Sequence, residues 1–264
     1  MNLDLFPELH TELISLLRSL RRDDWLRPTA CRDWTVKDIA AHILDGQLRR
    51  LSLARDNYIA PGPAVVTHED TVRMINRMNA DWVTAARRFS PTILIDLLEW
   101  TAPQIRRYFE SLDPDGPAVF PVSWAGETQS KNSFDIAREF SEQWHHQQQI
   151  REAVKARALM DAKWLRPVLE TFVRALPLAY RDTQGLEGTA VSFIIEGPAG
   201  GTWQVRRDEE SWKLLNQEAS KPVATVRIDQ DAAWRLFTKG PKKATIDGDQ
   251  DLGRVALQAV AVMG

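Results

Sequence analysis

Apolar residues recur at helical spacing through roughly the first two-thirds of the chain and at alternating spacing after Gly188, which predicts a helical part followed by a mixed part. Phe6, Leu9, Leu13, Leu16, Leu17 and Leu20 form one stripe and predict a first helix over residues 5–20, closed by Arg21-Arg22-Asp23-Asp24. Thr35 with Asp38 three residues on is a capping-box-like start for a second helix that carries Ile39, His42, Ile43 and Leu48. His42 therefore points where the apolar stripe points. Ala60-Pro61-Gly62-Pro63 predicts a loop, and residues 67–89 a third helix that ends before Ser90-Pro91. The stripe Ile95, Leu98, Ile105, Tyr108 and Phe109 predicts a fourth helix over 92–112, with Pro103 as a kink or a boundary and Asp113-Pro114-Asp115-Gly116-Pro117 as its stop. Residues 118–130 read as a long loop, of the kind that often serves as a lid, and 133–155 as the last bundle helix.

A further helix over 163–180 carries Leu165, Leu169, Phe172, Val173 and Leu176, and after it the character changes. Residues 189–195 predict a strand, Gly197-Pro198-Ala199-Gly200-Gly201 a turn and 202–206 the returning strand of a hairpin. Strands at 211–215 and 224–228, a helix at 230–237, a short strand at 244–246 and a closing helix at 249–262 complete the reading. The fold class is α+β with two domains: a helical bundle over 1–160, then a smaller α+β domain over 161–264 that begins with a linker helix. A chain of 264 residues can bury a core in each.

Composition narrows the function classes. Lys+Arg 34 against Asp+Glu 36 leaves a net charge of -2 with no basic cluster, which disfavours nucleic acid and anionic membrane surfaces as partners. The N-terminus shows no basic region leading into an apolar core, and nothing approaches the ~18 uninterrupted apolar residues of a membrane span, so a soluble, unprocessed, cytoplasmic chain is expected. Cys31, the single cysteine, excludes an intramolecular disulfide and fits a reducing compartment. Ten tryptophans are many for this length, and Trp25, Trp34, Trp100, Trp144, Trp164, Trp203, Trp212 and Trp234 are read mostly as core anchors.

The candidate chemistry rests on Glu142 and His146, four residues apart and so on one face of a helix. An isolated pair of this kind is often a solvated contact, and a lone histidine on an apolar face is usually a core histidine bonded to a neighbour. Their combination with His42 says more, because antiparallel bundles build metal sites from facing helices. Two imidazoles and one carboxylate, from His42, Glu142 and His146, leave one coordination position open, the mark of a catalytic rather than structural site. His145 points about 100° away from His146 and is read as a supporting or surface residue.

Trp34-Thr35-Val36-Lys37-Asp38-Ile39-Ala40-Ala41-His42 and the Glu142/His146 helix ending in Gln149-Ile150-Arg151 resemble the DinB-like superfamily, and within it the mycothiol-dependent maleylpyruvate isomerase family. The resemblance covers nearly the whole chain, since 197–203, 231–237 and 246–249 are similar to the family's smaller domain of sterol-carrier type. It implies a DinB-like four-helix bundle, with His42, Glu142 and His146 as ligands of a divalent metal, zinc in that family, and a low-molecular-weight thiol, mycothiol or an analogue. The chain departs from the family in one place, since relatives often carry an aspartate where Gln149 stands. No counterpart to a catalytic arginine stands out either, so Arg151, Arg206 and Arg235 are weak catalytic candidates.

A metal held this way would deprotonate a thiol at neutral pH, and that thiolate could isomerise an activated double bond by adding and leaving, or be transferred to the substrate. Water in the same position would instead make a hydrolase. The same ligands also suit non-haem Fe(II) chemistry, and a lipid or small-molecule carrier with a structural metal is the alternative outside enzymes. The expected partner is a small-molecule substrate, with no nucleic acid and no membrane, on a monomer or homodimer.

Overall fold

The computed structural model describes residues 3–59, 67–216, 221–241 and 243–262. The expected loop at Ala60-Pro61-Gly62-Pro63 lies outside the described residues. Packing divides the chain into two compact units, the first running to Val119 and taking in Glu139–Leu159, the second formed by Phe120–Arg138 and the chain from Met160 onward.

The first unit holds α1 (Leu5–Ser19), α2 (Val36–Arg50), α3 (His68–Ala86), α4 (Pro91–Glu110) and, from Glu139 onward, α5 (Asn132–Val154). Local chemistry sets where these helices begin. The Asp38 carboxylate accepts from the Thr35 N–H at 2.9 Å while the Thr35 hydroxyl accepts from the Asp38 N–H, and Thr67 and Asp70 repeat the arrangement ahead of α3. At α4 the Ser90 hydroxyl accepts from the Ile93 N–H at 3.2 Å and Pro91 takes the first helical position, where its missing N–H costs nothing. α4 runs on through Pro103, so that proline does not mark a boundary. Leu13, Leu17, Val36, Ile39, Leu44, Leu94, Leu98 and Ile150 are buried together in the core of this unit. Phe6 adds an aromatic corner, its ring 5.3 Å from that of Phe109 and 5.4 Å from that of Phe140.

The second unit is built on a five-stranded sheet of order β3-β2-β1-β4-β5, from β1 (Ala190–Glu196), β2 (Gly201–Arg207), β3 (Trp212–Leu215), β4 (Ala224–Asp229) and β5 (Thr245–Gly248). β1 and β4 pair in parallel and every other pair is antiparallel. Phe193 of β1 packs on Phe237 of α8 (Gln230–Phe237) at 5.9 Å, and Phe237 on Phe172 of α6 (Ala162–Phe172) at 5.9 Å. The hairpin turn needs glycine at 200, where a Cβ would stand 2.0 Å from the Ile195 carbonyl oxygen.

Four expectations need correction. The helix over 163–180 is broken, because Pro177 cannot donate to the Val173 carbonyl and its ring would collide with it; Val173–Ala175 tightens into a 3₁₀ turn before α7 (Leu176–Ala179). The closing helix is shorter than its apolar pattern suggests: α9 covers Gln250–Ala256, and beyond it the Ala261 N–H donates to the Phe237 carbonyl at 2.8 Å, a bond the helix could not allow. Trp100 is not a core anchor, being 58% exposed on α4. The stretch 118–130 is not a free lid, since Val122, Trp124 and Ser130 are buried and the Trp124 ring lies 5.7 Å from that of Phe134.

Candidate functional site

His42 sits in the second turn of α2 after the Thr35 cap, and the cap is anchored from outside as well as within. The Arg87 guanidinium donates twice to the Asp38 carboxylate, at 2.9 and 3.1 Å. Burial opposes ionisation of Asp38, but the hydrogen bonds from Arg87 and Thr35 outweigh it and hold the carboxyl below its usual range. The folded-state pKa is thus depressed, so this group stabilises the fold above about pH 4, the unfolded value, and loses that contribution as pH falls through the folded value. Asp38→Asn is expected to be less stable than the parent chain at neutral pH, with the gap narrowing as pH falls below about 4. Urea midpoints across that range measure it, and a gap independent of pH would contradict the assignment.

On α5, Glu142 and His146 share a face as their spacing predicts, with the Glu142 carboxylate Oε2 at 3.4 Å from His146 Nε2. The His42 and His146 rings meet edge to face with centroids 4.6 Å apart, and the Trp34 ring lies 5.0 Å from that of His42. All three expected ligands are therefore adjacent, His42 to His146 and His146 to Glu142. Among the described residues, however, no three His, Cys, Asp or Glu side chains converge into a metal-holding group. The donor chemistry nonetheless fits a metal. Nδ1 of His42 is buried with no hydrogen-bond partner, and burial first, then the neighbouring His146, Arg49 and His145, pushes the imidazole well below its ordinary range, leaving it neutral. Two neutral-capable imidazoles and a carboxylate are a zinc-type set.

His145 proves to be an interior residue, 7% exposed and held neutral by burial and by the neighbouring His146. Gln149, one turn further on, connects the two histidines: its Oε1 lies 2.9 Å from His146 Nδ1 and its Nε2 3.0 Å from His145 Nε2.

The three arginine candidates divide differently. Arg151 is 4% exposed and fully engaged, donating to Glu12 Oε2 at 2.9 Å, to the Glu12 carbonyl at 3.2 Å, to the Arg157 carbonyl at 2.8 Å and to Gln147 Oε1 at 2.9 and 3.2 Å. It is a clamp between α1 and α5. Arg206 lies half-buried on β2, and Arg235 on α8 pairs with Asp231 at 3.0 Å while its guanidinium stacks 4.3 Å from the Trp234 ring; both belong to the second unit.

Sequence reasoning missed a polar seam inside the helical unit. Arg50 pairs with Glu139 at 2.6 Å, the Thr101 hydroxyl donates to Gln47 Oε1, and Gln147 Nε2 donates to the Leu9 carbonyl at 3.0 Å. Nearby, a cavity of ≈ 790 Å³ is lined by residues that include Phe6, His10, Gln47, Glu99 and Gln143, but by none of the three candidate ligands. Both ring nitrogens of His10 are buried without a partner, and burial, opposed by Glu99, lowers its pKa. The available signal was spacing: His10 stands four residues from Phe6 and from Ile14, on the buried stripe of α1.

Fold and site together define a two-part α+β protein whose helical unit gathers two histidines and a glutamate on facing helices. The sequence pattern of the mycothiol maleylpyruvate isomerase N-terminal domain matches residues 6–151, and the chain belongs to that family. Crystal structures of the mycothiol-dependent maleylpyruvate isomerase and of a histidine-to-alanine mutant of it share the fold, each with TM-score 0.57 and 12% identity over 93% of this chain and 91% of theirs. No curated protein matches the sequence. Among the described residues no helix is long and apolar enough to cross a membrane.

Proposed function

We propose that this chain is an enzyme that holds a divalent metal, zinc by its donor set, through His42, Glu142 and His146. It uses a low-molecular-weight thiol, mycothiol or an analogue, on a small electrophilic substrate, in an isomerisation of the maleylpyruvate kind or an S-transfer. The observation that carries this reading is the meeting of the His42 and His146 rings at 4.6 Å with the Glu142 carboxylate 3.4 Å from His146 Nε2, in a chain of that family.

When bound, the metal supplies Lewis acidity that makes a thiol at the open position nucleophilic at neutral pH. The protein's own residues prepare the site. His42 is already neutral, so no proton need leave it before it ligates. Glu142 contributes a single negative charge, which leaves a dication with a net positive charge to stabilise a thiolate. The Trp34 ring packs 5.0 Å from that of His42, and Arg49, paired with Asp45 at 3.0 Å and Asn79 at 2.9 Å, adds positive potential. Burial, then the Asp33 charge, raises the pKa of Cys31, the single cysteine, and so disfavours its thiolate. An external thiol fills that need, and a cytoplasmic setting would supply one.

Elemental analysis of the purified full chain, combined with titration by mycothiol, bacillithiol, glutathione and coenzyme A, tests both halves. About one zinc per chain and a saturable response to mycothiol are expected. Thiol-dependent turnover by a metal-free protein would overturn the metal assignment, and a zinc-loaded protein indifferent to all four thiols would overturn the thiol.

A further inference from the structure

We propose that the cavity between α1 and α4 binds a small neutral molecule, apolar over most of its surface and carrying a hydroxyl, at a place separate from the metal site. Its volume of ≈ 790 Å³ is that of a ligand pocket, whereas ordinary packing leaves few voids larger than a water molecule. Two helical stripes make the walls. α1 gives Phe6, His10 and Ile14, each four residues after the last, and α4 gives Glu99 with Ala102 and Pro103 one turn on. The side chains of Ala102 and Pro103 are short and leave space that a leucine would fill. Gln47 of α2 and Gln143 of α5 also reach the cavity, whereas His42, Glu142 and His146 do not, so the site stands whether or not the metal and thiol readings hold.

The charges in the lining are already matched to one another or to neighbours. Arg18 donates to both oxygens of Glu99, at 2.8 and 2.9 Å, and Arg106 pairs with Glu110 at 2.7 Å and with Asp4 at 3.1 Å. An anion would meet no uncommitted cation here and would lie against the Glu99 carboxylate, and taking a charge out of water without a counter-charge is costly. What the cavity does offer is neutral. Both ring nitrogens of His10 are buried without a hydrogen-bond partner among the described residues, and burial, opposed by Glu99, keeps the ring neutral. The imidazole fills nearly the same volume after a half-turn about Cβ–Cγ, which exchanges nitrogens with ring carbons, so either edge can be offered to an occupant. Pro103 has no N–H to give, so the Glu99 carbonyl, one turn earlier on the same wall, lacks its helical donor. A hydroxyl answers both groups. It accepts from whichever His10 nitrogen carries the hydrogen, and donates to the bare nitrogen or to the carbonyl.

Equilibrium dialysis of the full, metal-free chain at neutral pH against 2-naphthol, 2-naphthoate and 2-methylnaphthalene tests the site. 2-Naphthol is expected to bind saturably, one molecule per chain, and the 2-naphthoate anion at least about 10-fold more weakly. His10→Leu is expected to weaken 2-naphthol about 5-fold and to leave 2-methylnaphthalene, which carries a methyl group in place of the hydroxyl, within about 2-fold of its parent affinity. That split separates a group that meets the ligand from one that merely shapes the wall. Ala102→Trp, which fills the space, is expected to abolish binding of all three probes, and saturating Zn²⁺ to leave 2-naphthol binding unchanged. No saturable binding of 2-naphthol, naphthoate held as tightly as naphthol, or a folded Ala102→Trp that still binds overturns the proposal. Displacement of 2-naphthol by Zn²⁺ overturns it too, by placing the probe at the metal ligands. A folded His10→Leu that changes both probes alike, or neither, overturns the recognition of the hydroxyl. Should a variant not fold, the comparison of 2-naphthol with 2-naphthoate on the parent chain decides the matter.

Discussion

Replacing His146 with alanine is expected to abolish metal retention and thiol-dependent turnover together, while the helical signal and unfolding midpoint stay close to those of the parent chain. The His146 side chain is 15% exposed, and the bond from its Nδ1 to Gln149 is worth only about 1 kcal/mol net to the fold. Losing a ligand is a different order of effect. Removing a residue that merely supports a ligand weakens metal binding about 10- to 100-fold, and loss of the ligand itself is expected to exceed that. Metal content after dialysis against a chelator, read beside circular dichroism, measures it. A His146→Ala protein that keeps its full complement of metal would remove this residue from the site.

Arg151→Met is expected to do the reverse, with a large loss of stability and no loss of turnover per folded molecule. Five hydrogen bonds from one guanidinium tie Glu12, Gln147 and the Arg157 carbonyl together in a place where little water can replace them. A methionine keeps the stem and leaves the Arg157 and Glu12 carbonyls and Gln147 Oε1 without their donor. Glu12 is partly exposed and can turn to solvent, which limits the penalty to about 3 kcal/mol, or on the order of 10 °C in midpoint. Activity normalised to folded protein separates a clamp from a catalyst, and a selective fall in kcat would restore Arg151 to the reaction.

The helical framework was legible in the sequence wherever local chemistry decides it. Thr35 with Asp38 marks the start of α2, Ser90-Pro91 that of α4, and the hairpin glycines their turn, because caps and tight turns depend on residues a few positions apart. The same holds for Glu142 and His146, whose spacing alone places them on one face. What stayed illegible is tertiary. An apolar run over 249–262 reads as helix until the Phe237 carbonyl captures Ala261, and the isolated polar residues Gln47, Thr101, Glu139 and Gln147 look like surface residues until the helices close on them. His145 and Gln149 belong with these. Spacing places them on one helix, but does not show that Gln149 bridges His145 and His146 in the interior.

The helix α5 starts among residues that pack in one unit and continues through residues that pack in the other. The sequence pattern of the family, by contrast, spans 6–151 without a break. The stretch that matches the family therefore coincides with neither compact unit. A chain cut at residue 151 would keep Trp124 and Phe134 but discard Arg174, whose guanidinium lies 3.2 Å from the Phe134 ring centre. It would also discard Leu159, whose carbonyl holds the Trp144 indole at 2.9 Å, and Arg157, one of the partners of Arg151. Anyone grafting the histidine-bearing helix into a new scaffold therefore has to carry packing partners that lie beyond residue 151, outside the stretch the family pattern matches.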